Sequence, residues 1–362
     1  MRVLLAPDKF RGTFTAAEVC RHIARGIHAE SPGVVIEPLP LADGGEGTLD
    51  VLLGALGGTR HSLKVRGPLG DEITAEYGVT PEGIAVLESA LFCGLDLVPP
   101  NLRDPMATTS YGLGQAIASL LDSGVGEFLI GLGGTATVDG GIGMVRALGF
   151  RFPAPCLIDD TLAHPGLAAA RFTVLCDVDT PPLGPDGAAP VFGPQKGATP
   201  TTVLLLQDRL AALVEGCARW KGVSRAALAD LPMGGAAGGL GLSCSLFLGG
   251  RLVPGAGYIM DRLGFDARLA AADLLITGEG SFDIQSRRGK AAQVAVERAS
   301  AARRPTAVVA GRWDGTLPER RPAALKVFTH ADGPETAEEL DADGLAAIGA
   351  SVMRWAAGLR KP

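Results

Sequence analysis

The sequence predicts an α/β protein organised around a parallel β-sheet. Six short apolar runs have the length and flanking residues of buried parallel strands. They span residues 3–6, 34–39, 128–132, 273–277, 306–310 and 325–329. Segments with apolar residues at helical spacing lie between them, and polar or glycine-rich loops follow several of the runs. This alternation is typical of βα units, whose ligands bind at the carboxyl edge of the sheet.

A second domain is predicted to interrupt this pattern. The chain has 362 residues, which is long for a single core. From residue 61 to 88 the apolar residues alternate with period two, which predicts an antiparallel meander. We therefore expect a parallel-sheet domain of residues 1–60, 101–150 and 261–362, with a second domain of residues 61–100 and 151–260 inserted in two pieces.

The composition excludes several classes of protein. With 47% hydrophobic residues, 20% charged residues and a net charge of −6, the chain is an ordinary globular protein. No basic patch is dense enough to follow a nucleic acid. The six cysteines show no C-x-x-C spacing, so neither a zinc site nor a disulfide framework is indicated. No signal peptide and no apolar run of roughly 18 residues is present, so we expect a cytoplasmic protein without a membrane anchor.

Charged residues follow the first predicted strand. Asp8, Lys9 and Arg11 lie between that strand and a helix whose start is marked by a capping box, Thr15 with Glu18. An acid and two bases at this edge can recognise phosphate and carboxylate groups. The alternative is that they are solvated surface charges.

The loop after the second strand carries two more acids. Asp43 and Glu46 flank a Gly-Gly turn at the same predicted edge. They can hold Mg²⁺ or act as a base, or they can simply cap the helix that follows. Glu88, at the end of the meander, fits a functional and a surface role equally well.

A glycine-rich loop follows the third strand. Gly133, Gly134 and Thr135 lie where backbone N–H groups can converge on a phosphate. Asp139, amid further glycines, suits a magnesium ion or an attacking hydroxyl group. A nicotinamide site is disfavoured because no acid lies about 20 residues further on. The alternative is a tight turn needed only for packing.

Further candidates lie in the second half of the chain. Asp177 follows a short strand, and Lys196 lies in a long loop of residues 181–198 that is typical of functional loops. The strand at 273–277 leads into a loop that does not match the P-loop spacing. That loop carries Gly278, Glu279, Asp283 and Lys290. The glycine-rich segment 233–242 favours close backbone packing or a hinge.

Taken together, these loops resemble the bacterial glycerate kinase family, the type that phosphorylates D-glycerate with ATP. The motifs that carry the resemblance are APDKFRGT at 6–13, PLADGGEGT at 40–48, TTSYGLGQAI at 108–117, GLGGTATVDGGIGMVRALG at 131–149, CDVD at 176–179, GPDGAAPVFGPQKGA at 184–198, GGAAGGLG at 234–241 and DLLITGEGSFDIQSRRGKA at 273–291. Val138 and Ser281 stand where the family often has Asn and Arg, which affects substrate choice more than reaction type.

The resemblance implies two α/β domains, one flavodoxin-like with a mostly parallel sheet and one restriction-endonuclease-like. It also implies ATP, Mg²⁺ and D-glycerate, with 2-phosphoglycerate as product. Alternatives are 3-phosphoglycerate, a related small hydroxy acid, a nicotinamide dehydrogenase, or a regulator that binds nucleotide without catalysis. Monomer and homodimer are both open.

We assign roles within this hypothesis. The candidates for the base are Asp8, Asp139 and Asp283, and the cationic clamps for phosphates and carboxylate are Lys9, Arg11, Lys196 and Lys290. The other predicted nucleotide-binding residues are Gly133, Gly134, Thr135, Gly278 and Glu279. Asp43, Glu46 and Asp177 are the predicted Mg²⁺ ligands, and Glu279 is an additional candidate.

Overall fold

The computed structural model describes residues 1–154, 156–282, 289–329 and 340–359. Its strands are β1 (Arg2–Leu5), β2 (Val35–Pro38), β3 (Thr59–Arg66), β4 (Glu72–Val79), β5 (Ala85–Glu88), β6 (Glu127–Leu132), β7 (Arg151–Ala154), β8 (Leu157–Asp159), β9 (Arg171–Cys176), β10 (Arg251–Pro254), β11 (Leu274–Phe282), β12 (Thr306–Trp313) and β13 (Leu325–Phe328). Its α-helices are α1 (Ala16–Glu30), α2 (Thr48–Leu56), α3 (Ser89–Cys93), α4 (Tyr111–Asp122), α5 (Ile142–Ala147), α6 (Ala188–Phe192), α7 (Pro200–Lys221), α8 (Arg225–Ala229), α9 (Ala236–Phe247), α10 (Gly255–Arg262), α11 (Phe265–Ala271), α12 (Ala291–Ala301) and α13 (Ala342–Gly358).

The chain forms two compact units, and the first consists of residues 1–43 and 256–362. Its sheet has the strand order β13-β12-β11-β1-β2, and every neighbouring pair is parallel. When the five strands of this unit are numbered along the chain and the sheet is read from β2 to β13, the order is 2-1-3-4-5. This is the flavodoxin-like arrangement. The predicted flavodoxin-like, parallel-sheet unit is therefore confirmed.

Both faces of this sheet are covered by helices. Apolar residues of β1, β11 and β12 pack with those of α1 and α13 in one cluster, which includes Ile23 and Ile348. On the other face, Ala292 and Val296 of α12 pack against Val308 of β12. The capping box predicted for α1 is present, since Thr15 accepts from Glu18 N–H and the Glu18 carboxylate accepts from Thr15 N–H.

Helices α1 and α13 cross with their backbones in contact, and this packing requires glycine. A Cβ atom added to Gly26 would lie 1.7 Å from the Ala346 carbonyl oxygen, and one added to Gly349 would lie 2.4 Å from the Ile23 carbonyl oxygen. We predict that Gly26→Ala lowers the free energy of unfolding by about 1–3 kcal/mol because the two helices must separate. Urea unfolding measures this, with Gly33→Ala as the control.

Gly33 is a suitable control because it is exposed and a Cβ added there would meet nothing within 4 Å. Equal urea midpoints for Gly26→Ala and Gly33→Ala would contradict the proposed close contact between the helices.

The second unit consists of residues 44–255, and its sheet is mixed. The strand order is β10-β9-β6-β5-β4-β3. Strands β3, β4 and β5 are antiparallel neighbours, which confirms the predicted meander. Strands β5, β6, β9 and β10 are parallel, so the meander continues directly into a parallel sheet.

The observed division of the chain differs from the predicted one. Residues 44–60 and 101–150 belong to the second unit, and β6 lies in its sheet rather than in the flavodoxin-like sheet. A buried apolar strand has the same pattern in either sheet, and here pairing with β5 determines where β6 lies. The second unit is one continuous insertion, not two pieces.

Two expectations concern the chain as a whole. All six cysteines are free thiols, and all but the half-buried Cys156 are buried. Within the ranges given above, no helix combines the length and the apolar character needed to cross a membrane.

Candidate active-site clusters

The first cluster lies in the flavodoxin-like unit, at the carboxyl ends of β1 and β11. The Asp8 N–H, just after β1, donates to the Gly278 carbonyl of β11 over 2.8 Å, and Glu279 is the next residue of that strand. The strand order reverses between these two strands, and ligands bind in doubly wound sheets at this switch point. The first cluster therefore occupies the position that the fold itself favours for a ligand.

Buried charges fill this cluster. Lys9 Nζ lies 3.9 Å from Asp8 Oδ1 and 3.8 Å from Asp43 Oδ1. Lys290 Nζ, at the start of α12, lies 3.2 Å from Glu279 Oε2. Asp8, Asp43 and Glu279 are 5%, 7% and 5% exposed. This unit therefore brings together five of the predicted site residues from segments that are distant in the chain: Asp8, Lys9, Asp43, Glu279 and Lys290.

Burial raises the pKa of Asp8 to about 7. The Lys9 ammonium and the Lys9 N–H, which donates to Asp8 Oδ1 over 2.6 Å, lower the pKa, whereas the negative charges of Asp43 and Glu279 raise it. A carboxylate with this pKa can accept a proton near neutral pH, where an ordinary aspartate is too weak a base.

The other predicted residues of this unit do not contribute to the buried charge cluster as described. Arg11 is exposed in the loop after β1. Gly278 lies within β11, where an added Cβ would be 2.1 Å from the Val309 carbonyl oxygen of β12. The pairing of these two strands therefore explains the glycine. Asp283 lies outside the described residues.

In the second unit, two glycine segments pass one another in close contact. A Cβ added to Gly131 would lie 2.5 Å from the Gly44 carbonyl oxygen, and one added to Gly133 would lie 2.7 Å from Gly45 Cα. From the other side, Gly238 approaches the Thr137 carbonyl so closely that an added Cβ would be 2.1 Å from its oxygen. Close backbone packing, as predicted for the segment 233–242, is confirmed.

Asp139 organises the glycine-rich loop. Its Oδ2 accepts hydrogen bonds from Ser110 N–H (3.0 Å), Ser110 Oγ (2.7 Å) and Gly143 N–H (3.0 Å), and its Oδ1 accepts one from Gly141 N–H (2.9 Å). Four donors hold this carboxylate at the start of α5. Its local role is to fix the loop to the start of α4.

Lys196 is a buried cation attached to the same loop. Only 5% exposed, its Nζ donates to Thr135 Oγ1 (3.1 Å) and to the Thr137 carbonyl (2.7 Å), and it lies 5.6 Å from the centre of the Phe192 ring. Burial lowers the pKa of Lys196 to about 8, and the charges of Asp139 and Asp177 oppose that shift. An ammonium group has three donors, and no described residue accepts the third.

Gly134 and Thr135 complete this segment. The Gly134 carbonyl accepts from Leu95 N–H over 2.8 Å, and Gly134 itself is exposed with a φ of +64°. Thr135 is buried and forms a bridge with Gly94. The loop is therefore anchored by the segment that follows α3, Gly94 and Leu95, and by Lys196.

Glu88 has a role that the sequence left open. It is 3% exposed at the end of β5, and its Oε1 and Oε2 accept from Gly47 N–H (3.1 Å) and Leu49 N–H (3.2 Å). It therefore satisfies the first turn of α2 and holds the segment that follows Glu46. The only sequence feature that could have indicated this role was the position of an acidic residue at the end of a buried strand.

The predicted Mg²⁺ ligands do not form a cage. Across the described ranges, no three His, Cys, Asp or Glu side chains converge as a group able to hold a metal ion. Asp43 lies in the first unit, and Glu46 and Asp177 lie in the second, with Glu46 exposed and Asp177 directly after β9. Single carboxylates of this kind fit Mg²⁺ that arrives with a nucleotide, because such ions usually take only one or two protein carboxylates.

Comparison with known proteins identifies the family. A model of the glycerate kinase family matches residues 3–357. The chain belongs to the glycerate kinase family.

Several members of this family are similar over most of their length. A glycerate kinase from Halalkalibacterium halodurans is 39% identical over 304 residues, which are 80% of this chain and 79% of that protein. A glycerate 2-kinase from Escherichia coli K12 is 37% identical over 306 residues, 80% of each chain. A crystal structure described as glycerate kinase 2 from Salmonella typhimurium LT2 covers all of both chains with a TM-score of 0.82 and 35% identity. The glycerate kinase fold thus extends over the whole chain.

Proposed function

We propose that the protein transfers the γ-phosphoryl group of ATP to a hydroxyl group of D-glycerate, giving ADP and 2-phosphoglycerate. Membership of the glycerate kinase family supports the reaction type, and the name of the Escherichia coli relative supports the 2-phosphate. The observation that carries the proposal is Asp8, a buried carboxylate with a pKa of about 7 beside Lys9, at the ligand-binding edge of a flavodoxin-like sheet.

Asp8 is the proposed general base. As the glycerate hydroxyl oxygen attacks the γ-phosphorus, its proton passes to the Asp8 carboxylate and a new P–O bond forms. The bond between the γ-phosphorus and the bridging oxygen breaks, and ADP leaves with that oxygen. Phosphoryl transfer of this kind depends mainly on positioning and on neutralising charge.

We prefer Asp8 to the other two candidates for the base. Both oxygens of Asp139 are already engaged, by Ser110 at the start of α4 and by the N–H groups of Gly141 and Gly143. A base must present a lone pair to the substrate hydroxyl, so we assign Asp139 to holding the loop in shape. Asp283 remains a prediction based on its place in the motif.

The lysines and Arg11 are the proposed electrostatic clamps. Lys9 and Arg11 follow β1, so we assign them to the glycerate carboxylate and the transferred phosphoryl group. Lys290 and Lys196 are assigned to ATP phosphates, together with the backbone N–H groups of Gly134 and Thr135. The third N–H of Lys196 supports this assignment, because a phosphate oxygen would satisfy it. The predicted Gly133 N–H is not assigned, because it already donates to Ser89 Oγ over 3.3 Å.

Mg²⁺ is the expected companion of ATP, and its chemistry is to neutralise phosphate charge during the transfer. We propose that Asp43, Glu46 or Asp177 supplies one or two carboxylate oxygens to it, with Glu279 as a further candidate. We expect the enzyme to act in the cytoplasm, where ATP and reduced thiols are found together.

The decisive experiment is ADP release from Mg-ATP with D-glycerate, using L-glycerate and glycerol as controls. Phosphorus NMR then identifies the product. We expect turnover with D-glycerate and a signal from 2-phosphoglycerate. A 3-phosphoglycerate signal would change the proposed position of phosphorylation, and ATP binding without turnover on any hydroxy acid would favour a regulatory protein.

A further inference from the structure

A buried hydroxyl group links two strands of the flavodoxin-like sheet next to the first cluster. Thr277, in β11, is fully buried, and its Oγ1 donates to the Ala6 carbonyl over 2.8 Å. Ala6 comes directly after β1 and two residues before Asp8, and Thr277 comes two residues before Glu279. One hydrogen bond therefore joins the two segments that carry these acids of the cluster.

The surroundings of this hydroxyl group are apolar. The three residues of β11 before Thr277 are a buried Leu-Leu-Ile run, and the strand register places Thr277 beside Val308 of β12. Valine has the same branched shape as threonine and would need no hydrogen-bond partner at such a site. Because a buried hydroxyl group must be hydrogen-bonded to avoid a desolvation cost, packing alone does not account for threonine here.

Two backbone hydrogen bonds also tie residues 6–8 to β11. They run from Ala6 N–H to the Ile276 carbonyl (2.7 Å) and from Asp8 N–H to the Gly278 carbonyl (2.8 Å). Pro7 lies between these two donors and has no N–H group of its own. The Thr277 hydroxyl group therefore adds a side-chain anchor to the last residues before the charged loop.

Thr277 lies on the same face of the sheet as Glu279, because side chains alternate along a strand. Val308 and Ala310, their register partners in β12, pack with α12 on that face. Lys290, which pairs with Glu279, lies at the start of the same helix. The hydrogen bond thus begins on the face that holds the Glu279–Lys290 pair and ends just before the loop that follows β1.

The position of that loop matters for the chemistry. Lys9 Nζ lies 3.9 Å from Asp8 Oδ1, and the negative charge of Glu279 acts on Asp8. A general base must lie within hydrogen-bond reach of the proton that it removes. A displacement of about 1 Å can therefore lower the rate by about 100-fold.

We propose that Thr277 is a positioning residue for the phosphoryl transfer, because its hydroxyl group fixes the backbone before Asp8 and so keeps this carboxylate in its place within the first cluster. The proposal rests on the proposed function. It adds to that function a neutral, fully buried residue outside the set of clamps, base and metal ligands. The effect of Thr277 reaches the reaction through the backbone of residues 6–8.

Thr277→Val in the full chain tests the proposal, because it removes the hydroxyl group and keeps the branched side chain. Relative to wild-type turnover of ATP and D-glycerate, kcat should fall by about 10- to 100-fold. The KM for ATP and the affinity for ADP should stay unchanged, because no charge is removed. Thr277→Ser keeps the hydroxyl group and should restore most of kcat, and a serine variant as slow as the valine variant would contradict the role of the hydroxyl group.

Thr306→Val is the matched control. Thr306 is also fully buried, and its Oγ1 donates to the Arg304 carbonyl over 3.1 Å at the start of β12. Both valine variants lose one buried hydrogen bond, so their urea midpoints should fall by similar amounts, whereas kcat should fall only in Thr277→Val.

A double-mutant cycle shows whether Thr277 acts through Asp8. In the Asp8→Asn background, Thr277→Val should lower kcat little further, because the base that it positions is already absent. An equal fold-loss of kcat in both backgrounds would mean a general disturbance of the sheet and would overturn the proposal.

Amide hydrogen exchange tests the anchor without turnover. Exchange of the Asp8 N–H should become faster in Thr277→Val and stay as in wild type in Thr306→Val. Unchanged exchange in Thr277→Val, or unchanged kcat in that variant, would overturn the proposal.

The inference and the proposed function fail separately. Wild-type turnover of D-glycerate with an unaffected Thr277→Val rejects only the role of Thr277. A wild type without turnover rejects the kinase, and the exchange measurement still decides whether Thr277 holds residues 6–8 in place.

Discussion

Asp8→Asn should lower kcat by about 10²–10⁴ with little change in ADP affinity, because asparagine keeps the shape of the side chain but cannot accept the hydroxyl proton. The pH profile should change as well. In the wild type, kcat/KM should rise with pH as the Asp8 carboxyl group ionises around its pKa of about 7. That acid limb should be absent from the residual activity of Asp8→Asn.

Variants of the two acidic neighbours of Asp8 provide a comparison for the predicted pH profile. Asp43 and Glu279 raise the pKa of Asp8. Asp43→Asn and Glu279→Gln should therefore keep the acid limb but move it to lower pH. Asp43→Asn should also raise the Mg²⁺ concentration needed for half-maximal rate if Asp43 is a ligand. An unchanged acid limb in Asp8→Asn would assign the base to another residue.

The same substitution should make the protein more stable. A buried carboxylate with a raised pKa holds its proton in the folded state at pH values where the unfolded chain has released it, so stability falls as pH rises from about 4 to about 7. A neutral amide at this position does not titrate and so carries no such cost. We expect the melting temperature of Asp8→Asn to exceed that of wild type at pH 8, by a larger margin than at pH 5.

Local patterns predicted the flavodoxin-like sheet well, because its central strands β1, β11 and β12 are largely buried apolar runs followed by loops. The same patterns placed β6 in this sheet, although it pairs with β5 in the other one. Strand pairing depends on which partner is available in space, and the residues of β6 alone do not identify that partner. The predicted domain boundaries differ from the observed ones for the same reason, because they were placed where the hydrophobic pattern changes.

Candidate residues at strand ends were the most predictable part of the site. Asp8, Asp43 and Glu279 were identified because parallel strands end at a common edge, and the structure gathers them there. The depth of burial of Lys196 was not predictable, since its environment comes from Thr135, Thr137 and Phe192.

Lys196→Met should lower kcat/KM for ATP by about 10²–10³, the loss that typically follows removal of one preorganised donor to a transition-state oxyanion. Methionine fills similar space but leaves Thr135 Oγ1 and the Thr137 carbonyl without the Lys196 donor. Lys221→Met is the control, because Lys221 is an exposed lysine at the end of α7. Steady-state kinetics with ATP and D-glycerate varied in turn give both constants.

The pH dependence separates a phosphate ligand from a structural lysine. Burial lowers the pKa of Lys196 to about 8, so kcat/KM for ATP should fall above that pH as the free enzyme loses the positive charge. A bound phosphate stabilises the ammonium form, so the fall in kcat, measured with ATP saturating, should begin at higher pH. A lysine that only fastens the loop would give the same alkaline limb in both profiles, and that result would remove Lys196 from the nucleotide site. Because Asp8 must be ionised and Lys196 charged, we expect kcat/KM for ATP to be largest between the pKa of Asp8 and the pKa of Lys196.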